Sequence, residues 1–154
     1  MADLYTYEQK TQGLPVEIIK LPNGQTGIRL PKDILYLDTP IGPVLVPRGF
    51  VSDGCSMPRF AWRALGHPFD HAYLYEAILH DYFYRYQDVD RATADRVLYE
   101  MLKDRVSGVR RRAIYWWLRA GGWVAWNENA KLNEQKPNIP NEDDGNYHVY
   151  DGKD

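Results

Sequence analysis

The chain has 154 residues, 44% hydrophobic and 26% charged, enough apolar side chain for one domain of ordinary size. That excludes a wholly disordered chain, a collagen-like chain and a disulfide-stapled scaffold, since Cys55 is the single cysteine. A net charge of −2 argues against a nucleic-acid binder, and the 12 Tyr and 5 Trp call for a large core or a contact surface.

The first five residues, Met1-Ala2-Asp3-Leu4-Tyr5, have neither the basic nor the apolar run of a signal peptide, so none is expected. Up to about residue 51 the chain reads as β structure. Val16-Glu17-Ile18-Ile19 precedes the turn Pro22-Asn23-Gly24, and Thr26-Gly27-Ile28-Arg29-Leu30 follows it. Ile34-Leu35-Tyr36-Leu37 and Val44-Leu45-Val46 flank a Pro- and Gly-bearing turn, which predicts a small antiparallel sheet. Residues 52–68 read as a loop with a short helix at Phe60-Ala61-Trp62-Arg63-Ala64-Leu65.

Three helices are predicted next. The first starts from Asp70 as N-cap and ends near Tyr86, before the turn-like Gln87-Asp88-Val89-Asp90. The second starts about Arg91, with Ala94, Val97, Leu98, Met101 and Leu102 as its apolar stripe, and Ser107-Gly108 breaks it. The third covers about residues 109–130, with Ile114, Trp117, Leu118, Trp123 and Trp126 along it. Arg119, Gly121 and Gly122 interrupt its apolar stretch, so no membrane span is expected. From Lys131 to Asp154 three lysines face six acids in an acidic C-terminal arm. The fold class is therefore α+β: an N-terminal antiparallel β-sheet, a three-helix bundle over a domain of residues 1–131, and an extended arm at 132–154.

His80-Asp81-Tyr82-Phe83-Tyr84 carries the main chemical signal. Residues 80 and 84 share a helix face, and Asp95 on the next helix is placed to point at them. A carboxylate can orient a histidine, and a nearby carboxylate can hold a hard cation or stabilise an imidazolium, so His80, Asp81, Tyr84 and Asp95 are the candidate catalytic residues. The competing reading is a buried hydrogen-bonded network that braces two helices. Asp81, with Asp53 from the loop, is the candidate ligand pair for a hard cation such as calcium. Asp53 and Ser56 also suit an Asx-turn and a helix cap. Zinc is the lesser alternative: His67 and His71 add nitrogen ligands, but no zinc-binding spacing is present. Cys55 reads as a small buried residue.

The motif His80-Asp81-x-x-Tyr84 with the later Asp95 resembles the site of secreted and viral phospholipases A2. That resemblance implies His80 as base for an attacking water, Asp81 as calcium ligand, and Tyr84 with Asp95 as the orienting pair. The glycine-rich calcium loop of those enzymes has no close counterpart; Ser52-Asp53-Gly54-Cys55-Ser56 is the nearest segment. A second resemblance runs over roughly residues 15–125. Gly49 to Arg59, Ala77 to Tyr84, Ala94-Asp95 and the Arg- and Trp-rich helix are similar to a small family of tailed phages and prophages, catalogued as a domain of unknown function. It implies a phage origin, in a virion or the host cytoplasm.

Arg105, Arg110, Arg111, Arg112 and Arg119 form a run with no acid between them, which suits a solvated face, an acidic partner or nucleic acid. Trp116, Trp117, Trp123 and Trp126 are too dense for one apolar stripe, so some must be exposed or engaged at an interface. The functional expectation is a virion-associated protein with a metal-dependent, hydrolase-like site for a lipid or cell-wall substrate. Its partners are other virion subunits or a second copy, engaged through the Trp-rich helix and the arm. A purely structural virion or adaptor protein is the alternative, and a nucleic-acid-binding accessory ranks third.

Overall fold

Short alternating segments make the strands, and longer 3.6-period segments make the helices. The computed structural model describes residues 4–7, 15–22, 24–52 and 73–135. These fall into two compact units, one of strands (4–52) and one of helices (73–135). The expectations that fall on Cys55, Ser56, His67, Asp70, His71, the short helix at 60–65 and the arm beyond residue 135 lie outside the described residues.

The strand unit holds two three-stranded sheets. β1 (Leu4–Tyr7) runs parallel to β4 (Asp33–Tyr36), which pairs antiparallel with β5 (Val44–Val46). β2 (Glu17–Lys20) and β3 (Thr26–Arg29) form a hairpin, and β6 (Val51–Ser52) adds antiparallel to β3. Between β2 and β3, Gly24 has φ +79°, a backbone region that favours glycine, and its N–H reaches the Leu21 carbonyl at 2.8 Å. Period-two alternation is clear in β4, where Ile34 and Tyr36 are fully buried while Asp33 and Leu35 are half-buried. Tyr36 meets Tyr7 at 4.9 Å between ring centres. The single antiparallel sheet of the sequence reading is thus two small sheets, one with a parallel pair. β1 is short and carries no turn signal, and its pairing with β4 is non-local, so spacing alone did not mark it.

The helical unit has four helices among the described residues, not three. These are α1 (Leu74–Tyr86), α2 (Arg91–Met101), α3 (Gly108–Gly121) and α4 (Trp123–Gln135). α1 packs against α2 and α4, and α2 packs against α3. Every residue of α1 is buried, the mark of a central helix. It ends where Gln87 turns left-handed and its N–H reaches the Phe83 carbonyl at 2.8 Å. Asp90 caps α2 through the Thr93 N–H at 2.8 Å, and Ser107 caps α3 through the Arg110 N–H at 3.3 Å. Tyr73, Ala77, Leu98, Leu102, Ile114 and Leu118 form the apolar core, with Val106 and Trp117 against it.

The predicted third helix is broken at Gly122. A Cβ there would stand 2.5 Å from the Tyr84 hydroxyl and 2.6 Å from the Leu118 carbonyl oxygen. Nη1 of Arg91 also takes the Leu118 and Arg119 carbonyls, at 3.1 and 3.4 Å. Two adjacent glycines weaken the helix, and a tyrosine and an arginine occupy the break. None of the four helices is long and apolar enough to cross a membrane.

Candidate functional site

The site is built around one buried carboxylate. Asp95 is fully buried on α2, although a lone carboxylate in that position would be strongly disfavoured. Its two oxygens have separate partners. Oδ1 lies 2.9 Å from His80 Nε2 and accepts the Tyr84 hydroxyl at 2.7 Å. Oδ2 accepts from Arg119 Nη1 at 2.7 Å, with Arg91 Nη1 3.6 Å away. The i, i+4 spacing of His80 and Tyr84 on α1 brings both rings to the same oxygen, with ring centres 4.3 Å apart. Trp126 of α4 stands edge-on to Tyr84 at 5.1 Å.

Burial alone would push the Asp95 carboxyl up. Hydrogen bonds from His80, Tyr84 and Arg119 outweigh it and hold the group below the usual carboxylate range. Burial, reinforced by the Asp95 charge, pushes the Tyr84 phenol well above its ordinary value, so Tyr84 stays a donor. The hydrogen bond to Asp95 raises the Arg119 guanidinium further. An ionised carboxylate only accepts, so the proton at the short contact sits on His80 Nε2.

Three of the four predicted catalytic residues therefore meet: His80, Tyr84 and Asp95. Asp81 is buried next to His80 on α1 but is not a partner of Asp95. Among the described residues no group of three His, Cys, Asp or Glu side chains could hold a metal ion. Asp53, the other expected ligand, lies outside the described residues. The Asp95 end of the site does not suit a cation, because two arginines already occupy Oδ2.

Spacing did not find Arg91, Arg119 and Gly122 as parts of this site. Arg91 had a local signal, four residues before Asp95 on the same helix. Arg119 was visible only as one member of the arginine run. That run is largely occupied. Arg105 pairs with the buried Glu76 at 2.9 Å, and Arg110 and Arg111 lie over the rings of Tyr73 and Tyr99 at 5.3 and 4.0 Å. Arg112 is exposed.

On the outer side of the helical unit, Val109, Trp116 and Trp123 are exposed by 78%, 67% and 54%. Ala113 and Ala120 are exposed too, so positions 109, 113, 116 and 120 make an apolar stripe along α3 at spacings of four and three, and exposed Trp123 opens α4.

Comparison with known proteins places the chain in a family. "Uncharacterized protein y4jT" of Sinorhizobium fredii is 36% identical over 72 residues. The match takes in 46% of this chain and 21% of that protein, so the chain spans about a fifth of the relative's length. No solved structure matches. The family model described as "Protein of unknown function (DUF1353)" matches residues 28–118, a stretch that includes His80, Tyr84, Arg91 and Asp95. Since that is more than half of the chain, the protein belongs to the DUF1353 family.

Proposed function

We propose that this is a phage-encoded, virion-associated protein with a hydrolase-type site in which His80 is the general base. The observation that carries the site is the 2.9 Å contact from His80 Nε2 to Asp95 Oδ1, on an oxygen also held by Tyr84. With the proton on Nε2, Nδ1 would be the nitrogen that takes a proton from water in this reading. The activated water would attack the carbonyl carbon of an ester or amide, and the imidazolium would return its proton to the leaving group. Lipid and cell-wall substrates are the classes this reading names, and the phage origin rests on the sequence resemblance.

The test is hydrolysis of phospholipid vesicles and of peptidoglycan by the full chain, with and without added Ca²⁺. Loss of turnover in His80→Ala, with folding intact by circular dichroism, supports the reading. No turnover of either substrate by the wild type, or undiminished turnover in the variant, overturns it.

A second reading has its own observation. His80 is 2% exposed and Asp95 is fully buried, as suits a polar brace joining α1, α2 and α3 in a structural virion or adaptor protein. In that case His80→Ala lowers the melting temperature and alters no chemistry. Both readings leave the exposed stripe of α3 and α4 as the face for another virion subunit or a second copy. The nucleic-acid reading loses support, since most of the arginine run is engaged with Glu76, Asp95 and two tyrosine rings.

A further inference from the structure

We infer that Arg119, assisted by Arg91, is a positioning residue that holds Asp95 Oδ2 so that Oδ1 stays a pure acceptor and keeps the His80 proton on Nε2. The inference rests on the reading of His80 as a base and adds the groups that set its tautomer. The geometry divides the carboxylate in two. One oxygen serves the ring and the phenol, and the other serves the guanidinium of Arg119 at 2.7 Å, with that of Arg91 behind it at 3.6 Å.

The division matters because a buried carboxyl has a second stable arrangement. Protonated, Asp95 could donate to Nε2, and His80 would then carry its own proton on Nδ1. With Nδ1 protonated, the ring could not serve as the base that the proposed function names. Four groups facing Asp95 bear on this choice: His80 and Tyr84 from α1, Arg91 from α2 and Arg119 from α3. The two tyrosine and histidine donors are compatible with the ionised form but supply no permanent charge when neutral. The two guanidiniums do, and they remain charged at all working pH values. Arg91 is itself held in place by the Leu118 and Arg119 carbonyls at the break between α3 and α4. The break is thus part of the device: carbonyls at its edge orient one arginine, the Leu118 oxygen while also accepting the Gly122 N–H at 2.8 Å, and it begins three residues after the other.

The experiment uses the full chain with ¹⁵N-labelled histidine and ¹³Cγ-labelled aspartate. Long-range ¹H–¹⁵N spectra at pH 8 report the His80 tautomer, and the carboxyl signal of Asp95 followed to low pH reports its ionisation. The wild type should show the proton on Nε2 and an Asp95 that stays ionised after the exposed aspartates have protonated. In Arg119→Met the Asp95 midpoint should move upward and His80 should become a mixture of tautomers. Arg119→Lys, which returns the charge, should restore most of both signals. Arg119→Gln, similar in length but neutral, replaces the methionine variant if that chain does not fold. A wild-type proton on Nδ1 overturns the inference, as does a neutral Arg119 variant with unchanged tautomer and unchanged Asp95 midpoint. A helix brace alone would lower stability without moving the tautomer. The spectra answer whether or not a substrate is turned over, so a missing activity counts against the hydrolase reading alone.

Discussion

The inner and outer sides of the helical unit solve opposite problems. Inside, α1 and α2 bury a histidine, a tyrosine and an aspartate, and the arginines reach in from α2 and α3 until both carboxylate oxygens are satisfied. Outside, α3 and α4 leave two tryptophans and a valine more than half exposed. The inner cluster is costly to bury and is kept only because its partners are complete. The outer stripe costs the isolated chain little in structure, but contiguous exposed apolar surface marks an interaction site. A substitution inside should therefore be read in stability and ionisation, and one outside in association.

The largest expected effect is the loss of the central carboxylate. Asp95→Ala leaves two arginines, a histidine and a tyrosine around an apolar methyl. Both arginines are partly exposed, which softens the loss, so a destabilisation of about 3 kcal/mol is expected by chemical denaturation. Equal stability of variant and wild type would show that the cluster contributes nothing net. The same group sets an acid limb. Because the folded state holds the Asp95 carboxyl below its ordinary value of 3.8, its contribution is complete above that value. It is lost as pH falls through the lower folded value. Asp95→Asn should accordingly show a flatter loss of melting temperature below about pH 4 than the wild type does. Parallel acid limbs in the two proteins would break the argument.

Next in size is the seat of Tyr84. Gly122→Ala puts a methyl 2.5 Å from the phenol oxygen and 2.6 Å from a backbone carbonyl, so the break must shift. A cost of about 1–3 kcal/mol is expected for such overpacking. The neighbouring Gly121 has open space around its Cα, and there alanine should stabilise the helix by up to about 1 kcal/mol. Opposite signs at adjacent glycines, measured by thermal melts, are the sharp form of this claim. Equal effects would mean that the contact between Gly122 and Tyr84 does not constrain the break.

This pair of glycines also marks how far spacing can be read. His80, Tyr84 and Asp95 were legible because an i, i+4 pair and a connection of a few residues are local geometry. The boundaries at Tyr86 and Arg91 were legible for the same reason, through the turn-like residues between them. Arg119 was not legible as a partner of Asp95, because it lies 24 residues further along, within a run of like charges. The helix break at Gly122 depends on a hydroxyl from another helix, and the parallel pairing of β1 with β4 depends on a long-range partner. Propensity gives no account of either. Local periodicity finds the residues that can face each other, while tertiary packing decides which charges reach them.

The smallest effect on stability should come from the outer stripe, where it separates folding from association. Trp116 is 67% exposed and flanked along the stripe by Ala113 and Ala120. Little of its surface is withdrawn from water in the isolated chain, so Trp116→Ser should change the unfolding free energy by no more than about 0.5 kcal/mol. Association is another matter, because a large aromatic residue between two small ones is the shape of an anchor that buries on contact. Sedimentation of the full chain at rising concentration measures that side as self-association. The expected result is loss of the complex in Trp116→Ser with an unchanged melting temperature. A variant that melts well below the wild type would place Trp116 in the fold's own packing. A variant that associates as the wild type does would remove the stripe as the docking face and leave the inner cluster as the unit's single specialised feature among the described residues.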